Sequence, residues 1–249
     1  MYLKMDGIVL RETEYQEADK LLTVLTREHG KVTLKARNVK SRRSPLKAAC
    51  QLLAFSEFTV FENRGFLTIN EAVPREMFLD LRQDLELLSL ASYFAQAAEV
   101  VSQEDSPSPQ LLSLLLNCMY ALCRLHRPQL QVKAVFELRT ACLAGYAPEL
   151  SGCAVCGNPV PDRFNVSHGV LQCEGCRSED LDGLRLPVGE GSLMAMHYIT
   201  ACDAKQLFGF QIGGEAAGEL SALTETYLTT QLERGFFTLD FYKSLLLTG

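Results

Sequence analysis

Three observations predict an α+β, multidomain architecture: a five-stranded N-terminal barrel, a mostly helical domain after it, and a metal-held insertion within that domain. Residues 31–37, KVTLKAR, alternate strictly between apolar and polar side chains, as a half-buried strand requires. From Pro74 onward the apolar period lengthens to that of a helix. Cys153, Cys156, Cys173 and Cys176 form C-x2-C-x16-C-x2-C, the spacing of a four-cysteine zinc ribbon.

The strands come first. GIVLRET and KLLTVLTR precede the alternating segment, with His29-Gly30 as the turn into it, and LLAFSEFTVFENRGFLTINEAV reads as a hairpin around Asn63-Arg64-Gly65. Five short strands in this space suit a small closed barrel, of which the OB-fold is the commonest. The first domain is therefore expected over 1–75. Between its third strand and the hairpin, NVKSRRSPLKAACQLLAF reads as a loop, because Pro45 and a serine-rich basic run interrupt the pattern.

The helical domain is expected over 76–249. Its first helix carries an apolar stripe at Leu81, Leu85, Leu88, Ala91/Ser92 and Ala95. Ser108 then supplies an N-cap with Pro109 at the first helical position, opening a helix through Leu111, Leu115, Cys118/Met119, Leu122 and Leu125 that Arg127-Pro128 ends. A third helix, QLQVKAVFELRTACLAGY, stops at Gly145. The cysteine insertion is expected over 151–183. Helical patterns return after it, pause at GFQIGG and resume in AAGELSALTETYLTTQLERG.

Charge divides the chain. Its net charge is −6, yet residues 1–47 hold 11 Lys/Arg against 6 Asp/Glu, or +5, leaving −11 for the remainder. A basic module in an acidic protein points to a polyanion partner for that module. From Lys31 to Lys47 there are seven cations, Lys31, Lys35, Arg37, Lys40, Arg42, Arg43 and Lys47, and no acid. Four to seven of them on phosphates would give a log–log salt slope of about −3 to −5 on single strands, through counterion release. The plainer alternative is a solvated face kept basic for solubility. In the hairpin, alternation buries Phe58, Val60, Leu67 and Ile69 and leaves Phe61 and Phe66 as outward cross-strand neighbours. They are placed either to stack bases or to pack on the helical domain.

Four thiolates complete a tetrahedron and leave no open position for water or substrate, so the ligand count implies a structural ion. Spacing alone leaves zinc and iron open, the latter as a rubredoxin-like electron carrier. His168 lies inside the ribbon, but four cysteines already saturate an ion, and it reads as a turn residue. A zinc deaminase is unsupported, because Gly152 rather than proline precedes Cys153. Cys50, Cys118, Cys123, Cys142 and Cys202 read mostly as core thiols. Nine cysteines, an odd number at irregular spacing without an export signal, argue for thiols and a metal rather than disulfides.

Other function classes find no support. The chain has no phosphate-binding G-x-x-x-x-G-K-[ST], no H-E-x-x-H and no G-x-S-x-G, so neither a nucleotide cofactor nor a catalytic centre is read from it. His126 and His197, beside apolar helical runs, read as packing residues. No apolar run of membrane-spanning length is present, and a cytoplasmic protein is expected.

The segment GIVLRETEYQEADKLLTVLTREHGKVTLKARNVKSRRS at Gly7–Ser44, the LLAFSEFTVF after it, the helical middle, the four cysteines and the FYKSLL ending together resemble the RecO family of bacterial recombination mediators. The resemblance implies an OB-fold domain, a helical domain and, in many members, a zinc motif. It further implies binding of single- and double-stranded DNA, annealing of complementary strands, and association with RecR and with the acidic tail of single-stranded DNA-binding protein to help load RecA, at the nucleoid. DNA contacts map onto Lys35 to Arg43. The competing expectation is a zinc-stapled protein-interaction scaffold without direct DNA binding.

Overall fold

The computed structural model describes residues 2–63 and 65–247. Five strands, β1 (Tyr2–Tyr15), β2 (Asp19–Thr26), β3 (Lys31–Ala36), β4 (Phe55–Asn63) and β5 (Phe66–Glu76), close into the expected barrel in the order β1-β2-β3-β5-β4. Neighbours run antiparallel except β3 beside β5. Of the turn expected at Asn63-Arg64-Gly65, Arg64 lies outside the described residues.

Closure depends on β1, which is long enough to serve two neighbours: Tyr2–Ile8 pair with β4 and Gly7–Tyr15 with β2. The register with β2 jumps between Val9 and Arg11, and such a bulge bends a strand from one partner toward the next. At the bend the strands approach so closely that a Cβ on Gly7 would lie 2.5 Å from Val24 Cγ1. Inward side chains of β1 to β5, among them Val9, Leu22, Val24, Leu34, Phe58 and Val60, form the barrel core. Val32, Leu34 and Ala36 point in, and Lys31, Thr33 and Lys35 point out, as their alternation predicts. The His29-Gly30 turn also needs its glycine, whose φ is +62° and whose Cβ would fall 2.2 Å from the Ser106 carbonyl oxygen.

The rest of the chain contains α1 (Leu85–Val101), α2 (Pro109–Cys123), α3 (Gln129–Leu143), four short strands β6 (Glu149–Cys153), β7 (Arg163–Asn165), β8 (Val170–Gln172) and β9 (Arg185–Pro187), then α4 (Glu190–Ala201), α5 (Gly214–Gln231) and α6 (Phe237–Leu246). Two compact units result: Met1–Cys123 with Phe236–Gly249, and Arg124–Gly235. The division falls within the helices, so α1, α2 and α6 belong with the barrel. In that unit Asp84 caps α1 by accepting from the Leu87 amide at 3.0 Å. The buried face of α1 runs through Leu90, Ala91, Tyr93, Phe94, Ala95, Ala97 and Ala98, which includes Ala91 and Ala95 of the expected stripe, whereas Leu85 of that stripe is 58% exposed. Contact with the α6 segment decides this: Tyr93 meets Phe236 edge-on at 5.4 Å, and Gln96 accepts from the Thr238 amide at 3.3 Å. α2 begins at Pro109 as expected and ends at Cys123, leaving Leu125 exposed.

The second unit is built on α3, which packs against α4 and α5 and buries polar residues with apolar ones. Lys133 Nζ lies 2.9 Å from Glu137 and 2.8 Å from Glu225, and Glu137 also accepts from Thr224 at 2.7 Å. Burial opposes the ammonium, but Glu137 and Glu225 outweigh it and hold the Lys133 pKa above its usual value. Burial likewise pushes the Glu137 carboxyl above the ordinary carboxylate range, against the attraction of Lys133.

Candidate nucleic-acid interface and metal centre

The segment after β3 is more ordered than an open loop. Hydrogen-bonded turns follow one another, from Ser41 to Asn38, Ser44 to Ser41, Lys47 to Ser44 and Cys50 to Leu46. Val39, Leu46 and Cys50 sink into the barrel core, and burial pushes the Cys50 thiol up to about 12. The signal was present in the sequence: Leu46, Ala49, Cys50 and Leu53 recur at helical spacing, and all four are buried. With one side of the segment plugged into the core, Arg37, Lys40, Arg42, Arg43 and Lys47 are exposed on the other.

The turn joining β1 to β2 supports this segment at its start. Asn38, left-handed at φ 51°, donates its amide to Asp19 at 2.8 Å, and the Lys40 amide donates to Ala18. That Asn38 amide, then Lys35 and Arg37, hold the Asp19 carboxyl below the usual range despite some burial. Carboxylates also claim two of the predicted cations. Lys35 pairs with Asp19 at 3.2 Å and is largely covered, and Lys40 pairs with Glu14. Among the described residues no ion pair reaches Arg37, Arg42, Arg43 or Lys47. Lys31 sits at the other end of β3, where its Nζ donates to the Glu99 carbonyl at 2.9 Å. Arg37, Lys40, Arg42, Arg43 and Lys47 are thus each exposed on the stretch that follows β3, whereas Lys31 lies at the opposite end of that strand.

Phe61 and Phe66 both lie on the outer wall, but they are not direct cross-strand partners. Phe61 opposes Thr68, and Phe66 opposes Asn63, so the two are diagonal neighbours. Phe61 packs on Tyr2 with ring centroids 5.8 Å apart, and Phe66 on Tyr15 at 6.0 Å. Lys35 Nζ is 4.7 Å from the centre of the Tyr15 ring. Periodicity within the hairpin does not reach Tyr2 and Tyr15, which lie at the two ends of β1 and join the phenylalanines only through barrel closure.

In the second unit β6, β8, β7 and β9 form a small sheet that carries the cysteines. The sulfurs of Cys153, Cys156, Cys173 and Cys176 all lie within 4.8 Å of one another, with Cys156 and Cys173 at 3.8 Å. A tetrahedral ion with Zn–S bonds of about 2.3 Å sets its sulfurs about 3.8 Å apart, so the cluster fits zinc in size and in donor chemistry. Gly157, at φ +73°, turns the chain after Cys156. The Cys173 amide donates to Cys153 Sγ at 3.3 Å, and Asn158 Nδ2 to Cys173 Sγ at 3.2 Å. Burial opposes ionisation of Cys153, yet the amides of Cys156, Val155 and Cys173 bring its thiol down to about 6. His168 stands outside the cluster, exposed in a turn with Nε2 2.8 Å from the Asp182 carbonyl oxygen. His126 and His197 are exposed rather than packed. Cys50, Cys118 and Cys123 are buried thiols, while Cys142 and Cys202 are partly covered. No helix among the described residues is long and apolar enough to cross a membrane.

A closed five-stranded barrel bearing unpaired cations, followed by helices and a four-cysteine cluster, defines a class of modular proteins in which a barrel carries a charged surface and a ribbon can hold an ion. Comparison with known families makes this specific. The family described as Recombination protein O N terminal matches residues 1–78, and Recombination protein O C terminal matches residues 82–240. A DNA repair protein RecO from Acetivibrio thermocellus is 35% identical, covering 98% of this chain and 97% of its own length. The RecO proteins of Moorella thermoacetica and Alkaliphilus metalliredigens are 32% and 27% identical, covering 92% and 98% of this chain and 86% and 100% of their own lengths. The chain belongs to the RecO family of DNA repair proteins.

Proposed function

We propose that the chain is a non-enzymatic recombination mediator that binds single- and double-stranded DNA and anneals complementary strands. It then helps to load the recombinase onto DNA coated with single-stranded DNA-binding protein, acting in the cytoplasm with RecR, while the four cysteines hold a structural zinc. One observation carries the DNA-binding part: Arg37, Arg42, Arg43 and Lys47 are exposed on a turn segment that plugs Val39, Leu46 and Cys50 into the barrel, and no ion pair among the described residues reaches them. Such cations release condensed counterions when they meet phosphates, and a cationic coat lowers the repulsion between two strands that are to pair. Family membership supports the repair role.

The test is a titration of single strands at three salt concentrations, comparing the wild type with Arg42→Ala/Arg43→Ala/Lys47→Ala. The variant should flatten the log–log salt slope by about 2 and slow annealing. An unchanged slope would remove the loop from the DNA interface and favour the scaffold reading, in which partner capture survives these substitutions.

A further inference from the structure

Resting on that reading, we infer that four aromatic rings on the outer wall of the barrel, Tyr15, Phe66, Phe61 and Tyr2, form a row of subsites for the unpaired bases of single-stranded DNA. Tyr15 ends β1 and Phe66 begins β5, so the β1–β2 and β4–β5 turns bring their aromatic residues together. In OB barrels, these are the turns that flank an oligonucleotide surface. Their rings are 6.0 Å apart and inclined at 49°. Phe61 follows diagonally across the hairpin, and its ring meets Tyr2 edge-on at 5.8 Å. The row thus passes from the end of β1 across β5 and β4 to the start of β1.

The cationic segment joins the row at the Tyr15 end. Asp19, paired with Tyr15 across the strands, holds both the Asn38 amide and the Lys35 ammonium, and Lys35 in turn lies over the Tyr15 ring. Glu14, next to Tyr15, is paired with Lys40. Lys35 is therefore a positioning residue: its charge is matched by Asp19, and its contact is with the ring. Arg42, Arg43 and Lys47, which among the described residues have no carboxylate partner, follow on the turn segment.

This placement selects the occupant. A backbone lying on the start of the turn segment meets the Tyr15 end of the row, because Asp19 ties Asn38 to the strand pair that carries Tyr15. The faces of bases are open to stacking only in a single strand, because in a duplex each face is covered by the next pair. Aromatic stacking tolerates any base, since every base presents a π-face. The turn segment thus supplies affinity for either form of DNA, and the row adds a preference for the single-stranded form.

The experiment measures the binding of the full chain to an oligo(dT), to an abasic strand of the same length and to a duplex, at one salt concentration. Tyr15→Leu and Phe66→Leu should each weaken oligo(dT) binding about tenfold, with duplex binding within about twofold of wild type and the salt slope retained. Tyr15→Phe, which keeps the ring, should bind as wild type does. Wild-type protein should bind the abasic strand more weakly than either leucine variant binds oligo(dT), because that strand offers no base to any of the four rings, and this comparison is independent of how the variants fold. Equal losses on single strand and duplex, or an abasic strand bound as tightly as oligo(dT), would overturn the row. The outcomes separate from those of the loop: failure of the cationic assignment leaves the slope unchanged in the Arg42/Arg43/Lys47 variant, whereas failure of the row leaves the single-strand to duplex ratio unchanged in the leucine variants.

Discussion

The turn segment after β3 and the cysteine ribbon face the same physical problem and solve it in opposite ways. Each is a turn-rich stretch that must keep one geometry against the entropy of a flexible chain. The first is held by Val39, Leu46 and Cys50, which it lends to a core that the barrel builds for its own reasons. The ribbon has a sheet with three-residue strands and gathers four sulfurs within 4.8 Å. An apolar anchor leaves the outward side chains free for other contacts, which suits a surface that meets a ligand. A four-thiolate anchor saturates its ion and suits a clamp.

Metal removal should separate the two most sharply. Structural zinc sites contribute about 10–16 kcal/mol of apparent binding free energy, so a strong chelator, or Cys153→Ser, should lower the melting temperature of the Arg124–Gly235 unit markedly. DNA binding by the barrel should persist with its salt slope intact. Metal analysis and calorimetry with and without chelator check this, and loss of DNA binding in a protein of normal stability would move the ribbon into the interface.

Stability of the second unit should also rest on its buried ion network, in which Lys133 and Glu137 are almost fully covered. Lys133→Met leaves Glu137 without its cation and should cost about 3–5 kcal/mol at neutral pH. Burial already raises the folded-state pKa of Glu137 above its unfolded value, so the folded chain holds that proton more tightly. Stability credited to this protonation is present at low pH and lost as pH rises through the folded pKa. The deficit of the variant should therefore be smaller at pH 5 than at pH 7.5 in urea titrations followed by circular dichroism.

The smallest of these effects tests the apolar anchor. Leu46→Ala should cost about 2–4 kcal/mol in the barrel unit and leave metal content unchanged. A change near zero would show that the turn segment is not held by its plug.

How much of this was legible in advance depends on whether a feature is local. The alternation of Val32, Leu34 and Ala36, the C-x-x-C pairs, the Ser108-Pro109 helix start and the stop at Gly145 all express constraints acting within a few residues, and each is read directly from the chain. The buried face of α1 is different. It was set by α6, more than a hundred residues away, and a stripe read from α1 alone placed Leu85 inward. The burial of Lys133 and Glu137 on α3 is likewise not a local property, because it depends on Glu225, Ser221 and Thr224 closing around them.

The amino-acid order by itself determined that there would be a barrel, helices and a four-cysteine cluster, since periodicity, caps and ligand spacing are local properties of the chain. Only the tertiary structure decided which cations remain unpaired. Asp19 and Glu14 lie in the strands before the basic run, and folding brings them onto Lys35 and Lys40, while among the described residues Arg42, Arg43 and Lys47 receive no such partner. The pairing of Tyr15 with Phe66 was decided in the same way. Charge and aromaticity are written residue by residue, but their neutralisation and alignment depend on distances across the fold, which closure of the barrel alone establishes.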